Sequence, residues 1–244
     1  MATKVTKTVT TITTTTTTTT IAPKSTSKLT APEGKFKLYY FPLNGRGFPA
    51  RVALTTAGFD FEDNRLTFEE FGKLRAGKDG EKYNEEVPLG TFPILVFPDG
   101  EQIISQSSAI SKFAGKYCGL YPQDPLKAII VDEVMDSIND FIMLMPNDSD
   151  KEKEKEAYEI FAKEKLPKYF NLFSKRIKKS GGPFVLGECL SVADLLLFSL
   201  VNLFVIGFTN PLSLDTLQPW KNVLEHYDAV KSHPTVVKSN AIKE

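Results

Sequence analysis

Every strand signal in this chain lies between residues 35 and 104, and beyond a turn-rich segment at 119–125 only helical periodicity remains. That separation of periods predicts a small α/β unit followed by an all-helical one. KFKLYYF (35–41) is rich in β-formers and is stopped by Pro42. PLNGRGF then turns the chain, and ARVALTTAG reads as a helix ended by Gly58. FEDNRLTF (61–68) reads as a second strand and FEEFGKLRAG as a short helix. PILVF (93–97), a PDG turn at 98–100 and QII (102–104) read as a hairpin, and SSAISKFAGKY (107–117) as a further helix. The predicted order is β-α-β-α-β-β-α over residues 35–117, with 118–126 as a linker.

In the region 127–244, Ile129, Ile130, Val134, Ile138, Phe141 and Ile142 follow a helical period, as do Tyr158, Phe161, Leu166, Tyr169, Phe170 and Phe173. The intervening KEKEKE run alternates in sign and reads as a solvated helix face. Before the apolar run 195–208, Ser191 is placed to cap a helix, Asp194 to return the bond, and Leu190 to staple onto Leu195. The run is interrupted by Ser199 and Asn202 and has the length of a buried core helix rather than a membrane span.

Residues 1–34 are of a different kind. They are Thr-rich, have no hydrophobic period and carry one acidic residue, Glu33, so a disordered tail is expected. The lysines and hydroxyl residues give it the look of an organellar transit peptide, but it lacks arginine. The whole chain has 30 basic and 30 acidic residues. Setting aside the tail's four lysines and one glutamate leaves 26 and 29, a net charge of about −3. There is no basic field for nucleic acid or anionic lipid. Cys118 and Cys189 lack metal-ligand spacing, and His226 and His233 are too few for most zinc sites, so no metal is expected. Such cysteine usage fits a reducing compartment.

KFKLYYFPLNGRG, VPLGTFPIL, QSSAISKFAG and GECLSVADLLLF, in this order over about residues 35–244, resemble cytosolic glutathione transferases. The first of these is similar to the tyrosine-type enzymes, especially the sigma class. The resemblance implies a thioredoxin-like α/β domain followed by an all-α domain, a homodimer, a cytoplasmic location and glutathione as co-substrate. It implies that Tyr40 donates a hydrogen bond to the glutathione sulfur, which favours the thiolate for conjugation to electrophiles or peroxide reduction, and that Arg46 steadies that tyrosine. Gln106 and Ser107 match the ligands of the γ-glutamyl end. A helix start at Ser107 would offer free backbone N–H groups to that carboxylate. Phe92-Pro93 matches a cis-proline step that pairs with the cysteinyl backbone.

Asp132, Asp136 and Asp140 recur on one helix face, where like charges call for cationic partners. By resemblance Asp140 reaches the glutathione amino group of the other subunit. Leu43, Ile142, Met143 and Met145 are expected to line a pocket for small hydrophobic electrophiles. Three positions depart from the family pattern: Phe71 stands where a tryptophan is usual, Arg75 for a lysine, and Thr91 for another lysine. These are expected to loosen the glycine end of glutathione and raise its KM. GKDGEKYNEE (77–86) reads as an insertion. Alternatives carried by the same resemblance are a glutathione-binding protein without activity, as among lens crystallins, and a glutathione-dependent prostaglandin isomerase.

Overall fold

The computed structural model describes residues 29–76, 88–209 and 211–241. The expectations for residues 1–28 and for the 77–86 insertion lie outside the described residues. The end of the expected tail is described. Residues 29–34 run without helix or strand, and Ala31 packs against the main core.

Strand β1 (Phe36–Tyr40) leads through helix α1 (Phe48–Ala57) to β2 (Phe61–Arg65), which pairs with β1 in parallel. Such a β-α-β unit needs its helix packed on the sheet. Accordingly α1 is buried over Phe48 to Leu54 and ends where Gly58 turns left-handed at φ 78°. Helix α2 (Phe68–Ala76) follows β2. Strands β3 (Ile94–Val96) and β4 (Ile103–Ser105) form the predicted hairpin, and helix α3 (Ser107–Cys118) closes the unit. The sheet order is β2-β1-β3-β4, with β1 antiparallel to β3.

One boundary differs from the reading of FEDNRLTF as a strand through residue 68. The strand stops at Arg65, because Thr67 and Glu70 form a reciprocal cap. The Glu70 carboxylate accepts from the Thr67 N–H at 2.7 Å, and the Glu70 N–H donates to the Thr67 hydroxyl at 3.1 Å. Phe68 is therefore the first residue of a helix.

Residues 119–124 connect α3 to the helical half: α4 (Pro125–Met143), α5 (Lys151–Glu164), α6 (Leu166–Ser180), α7 (Val192–Val205), α8 (Lys221–Ser232) and α9 (Pro234–Ser239). The start of α7 is built as the capping pattern predicts. The Asp194 carboxylate accepts from the Ser191 N–H at 2.8 Å, the Ser191 hydroxyl at 2.6 Å and the Val185 N–H at 2.8 Å. Buried His226 places Nε2 3.0 Å from the same carboxylate. A buried carboxylate so fully partnered avoids the cost of an uncompensated charge. Helix α7 is buried from Val192 to Phe204, as a helix apolar on all its faces must be, with Asp194, Ser199 and Asn202 as its polar members. Among the described residues, no helix is long and apolar enough to cross a membrane.

Candidate active site

Register alone gathers the site. Tyr39 pairs with Ile94, and Ile94 pairs with Ser105. Hence Tyr40 at the end of β1, the Phe92-Pro93 step before β3, and Gln106-Ser107 after β4 lie side by side at one end of the sheet. The Phe92-Pro93 peptide is cis. Gln106 occupies the N-cap of α3 with φ 77°, a left-handed conformation that costs a non-glycine residue roughly 1–2 kcal/mol. Such outliers cluster at ligand sites. Ser107, expected to start the helix, lies buried at its first position.

Tyr40 is 5% exposed, and its oxygen accepts the Arg46 backbone N–H at 2.8 Å. A phenol has one proton to donate. Here one lone pair is used, and no acceptor among the described residues takes the proton, which leaves it for a ligand. Burial raises the phenol above its ordinary pKa, while the charges of Arg46 and Arg51 and the hydrogen bonds from Arg46 pull the other way. The net direction keeps the hydroxyl protonated at neutral pH.

The loop closes tightly over this ring. A β-carbon on Gly45 would sit 2.5 Å from the Tyr40 hydroxyl, and one on Gly47 would sit 2.5 Å from ring carbons. Arg51, 2% exposed, holds the loop from beneath. Its Nε donates to Asp63 at 2.8 Å, and its terminal nitrogens donate to the Leu43 and Phe41 carbonyls at 3.2 and 3.1 Å. The guanidinium carbon also lies 5.5 Å from the Tyr40 ring centre. Burial lowers the Arg51 pKa, and Asp63 opposes that shift.

A cavity of about 180 Å³ opens beside Tyr40, Leu43 and Arg46, with Ile142 of α4 on a second side. Helix α7 contributes Leu196, Leu200 and Leu203 from one face, together with Ser199. Phe41, Phe68 and Phe208 complete it. Among the described residues, no group of His, Cys, Asp and Glu is placed to hold a metal ion.

The family profile described as "Glutathione S-transferase, C-terminal domain" matches residues 135–239. Glutathione S-transferase 1 of Ascaris suum is 32% identical over 172 residues, covering 67% of this chain and 77% of that protein. Glutathione S-transferase A4 of Mus musculus is 32% identical over 203 residues, covering 81% and 86%. The chain belongs to the glutathione S-transferase family. Among solved structures, prostaglandin synthase D of Nilaparvata lugens superposes with a TM-score of 0.69 at 27% identity, over 84% of this chain and 96% of that one. The fold is the thioredoxin-like unit followed by a helical domain that this family shares.

Against the glutathione S-transferase pattern, Tyr40, Arg46, Leu43 and Ile142 share the cavity, whereas the other two expected pocket residues do not line it. Met143 is 74% exposed, one helical step around α4 from Ile142, and Met145 packs against the main core. Phe71 supplies no donor; its ring packs 4.5 Å from Phe92 and 5.3 Å from Phe41. The side chain of Arg75 lies outside the described residues. Asp132 finds its cation within the chain, in Lys112 at 2.8 Å, while Asp136 and Asp140 are exposed. Asn139, beside Asp140, donates to the Ser108 hydroxyl at 2.9 Å and so ties α4 to the start of α3. Sequence reading missed Arg51, Asp63, Phe68 and Phe208. Arg51 had a signal, being one charge inside a continuous apolar helix. Phe68 had another in the Thr67-x-x-Glu70 capping pattern.

Proposed function

We propose that this chain is a tyrosine-type, sigma-like glutathione transferase in which Tyr40 stabilises the glutathione thiolate for attack on an electrophilic carbon. The observation that carries this reading is the buried Tyr40 hydroxyl, which accepts from the Arg46 N–H and keeps its own proton for a ligand beside an apolar cavity. An unperturbed thiol has a pKa of about 8.5 and is mostly protonated at pH 7. A hydrogen bond to a charged group contributes about 1.5–3 kcal/mol, enough to lower that pKa by one to two units. The thiol proton leaves to solvent, and the sulfur bonds carbon as a halide departs with its electron pair.

In this reading Gln106 and Ser107 receive the γ-glutamyl carboxylate, the Phe92 backbone pairs with the cysteinyl unit, and Phe71 and Arg75 border the glycine end. Asp140 reaches the amino group across a homodimer, and the protein works in the cytoplasm on small hydrophobic electrophiles. The similarity to a prostaglandin synthase D favours a second reading as a glutathione-dependent isomerase.

Tyr40→Phe tests the mechanism by steady-state kinetics with glutathione and 1-chloro-2,4-dinitrobenzene. The expected loss is at least tenfold at pH 6.5, shrinking above pH 9, where the thiol ionises unaided. Unchanged turnover at pH 6.5 would overturn the assignment. Retention on immobilised glutathione with no turnover over a panel of electrophiles and a prostaglandin endoperoxide would point instead to a binding protein.

A further inference from the structure

Two phenylalanines on the cavity beside Tyr40 stay largely in solvent: Phe68, 56% exposed, in the first turn of α2, and Phe208, 53% exposed, just after α7. Large apolar side chains left exposed around one concavity mark a surface that a ligand covers.

The Phe68 side is a preformed flat wall. Its ring stacks on Phe41 with centroids 4.3 Å apart and planes 24° apart. Phe41 is itself fixed edge-on by Phe71 at 5.3 Å and Phe92 at 5.6 Å. Phe71 thus gives this wall its backing. The remaining lining is aliphatic, and the Ser199 hydroxyl is already committed to the Leu195 carbonyl at 2.9 Å. Polar groups stand at one end only, where Tyr40 and Arg46 lie. The volume of about 180 Å³ is slightly above the ~150 Å³ that accommodates benzene.

Resting on the reading of Tyr40 given above, we propose that Phe68, together with Phe208 on the same cavity, sets electrophile specificity, favouring planar one- or two-ring aromatic substrates over aliphatic ones. The aromatic ring lies against Phe68 while its reactive carbon meets the sulfur at the Tyr40 end. Ring substituents that gather negative charge during attack face the Arg46 cation. The step needs no oxidant: the C–S bond forms, the carbon–halogen bond breaks, halide takes the pair, and the thiol proton goes to solvent.

The test uses the full chain with glutathione and two electrophiles, 1-chloro-2,4-dinitrobenzene and 2-hexenal. Phe68→Ala and Phe208→Ala are each expected to lower kcat/KM for the aryl halide about tenfold and for the enal less than threefold, with the KM for glutathione unchanged. Phe68→Leu keeps apolar bulk without a flat ring and should behave like Phe68→Ala toward the aryl halide. Binding of 1-naphthalenesulfonate, a planar two-ring probe followed by its own fluorescence, should weaken by a similar factor in both alanine variants. Equal losses for the two electrophiles, or an unchanged ratio in folded variants, overturns the specificity role while leaving the Tyr40 reading intact. A wild-type chain with no glutathione-dependent turnover overturns the Tyr40 reading itself; the naphthalene sulfonate titration then decides whether the Phe68 wall binds flat aromatics.

Discussion

In the proposed reading Tyr40 has to remain a donor while sitting close to two cations. Arg46 and Arg51 favour the phenolate, but burial disfavours it more, and the pKa rises above its ordinary value of about 10. The folded state therefore keeps a proton that the unfolded chain loses first. Stability from the neutral phenol is present below about pH 10 and is lost as pH rises through the higher folded-state value. A difference titration at 295 nm between the wild type and Tyr40→Phe should show no phenolate from Tyr40 below pH 10. A step near pH 8 would mean that the cations win. Tyr40, Arg46, Gln106 and Ser107 could be proposed from the sequence because each sits in a local motif next to a strand end. Gln106 at φ 77° was not legible, since its conformation is imposed by the hairpin and helix on either side of it rather than by its own preference. Met143 was misread for the opposite reason: a local pattern does not say which side of α4 meets α7.

At the level of elements, the loop between β1 and α1 is shaped by its glycines and fastened by a helix. Gly45 and Gly47 leave room for the tyrosine ring, while Arg51, one turn into α1, binds two loop carbonyls and Asp63 of β2. Asp63 also receives Arg65 at 2.7 Å, so removing Arg51 leaves the carboxylate partly partnered. Arg51→Met is expected to cost about 3 kcal/mol, the lower end for breaking a buried pair. It should also reduce kcat for aryl halide conjugation severalfold with little change in the KM for glutathione, because it loosens the Tyr40 loop and leaves the Gln106-Ser107 end in place. Urea denaturation and kinetics on the same preparation check both, and a raised KM with unchanged kcat would refute the loop-holding role. The extent of α2 was open to reading from Thr67 and Glu70, but the β-rich run before it outweighed a two-residue cap. The capping box of α7 was legible because the long apolar run behind it fixed where a helix had to begin.

Across the whole molecule, the α/β and helical halves share their main core. That cluster of buried apolar residues runs from Phe36 to Ala241, beside a smaller one of Tyr40, Phe92 and Ile94 within the α/β half, and α1 bridges the main one, with the Phe48 ring 5.0 Å from Phe198 of α7. Phe198 in turn stacks on Tyr227 of α8 at 4.6 Å. The Val192 N–H of α7 donates to the Leu120 carbonyl at 2.9 Å, a second tie across the boundary. A turn-rich connection at 119–124 suggests two independent units in sequence, but unfolding either alone would expose this shared apolar surface to water. Trp220, the one tryptophan in the chain, sits buried in the helical half with its indole N–H donating to Asn171 at 2.7 Å, and so reports on that half. Phe48→Ala, made in the α/β half, should cost about 3–5 kcal/mol as a core cavity. At a slope of roughly 3 kcal/mol/M that moves the urea midpoint by 1 M or more. Trp220 fluorescence and far-UV circular dichroism, measured at one protein concentration, should shift together by that amount. A biphasic curve in which the Trp220 phase stays where it was would show the halves unfolding separately. In that case the cavity between β1 and α7, on which the proposed Tyr40 chemistry depends, would be held by contacts weaker than those at Phe48 and Phe198.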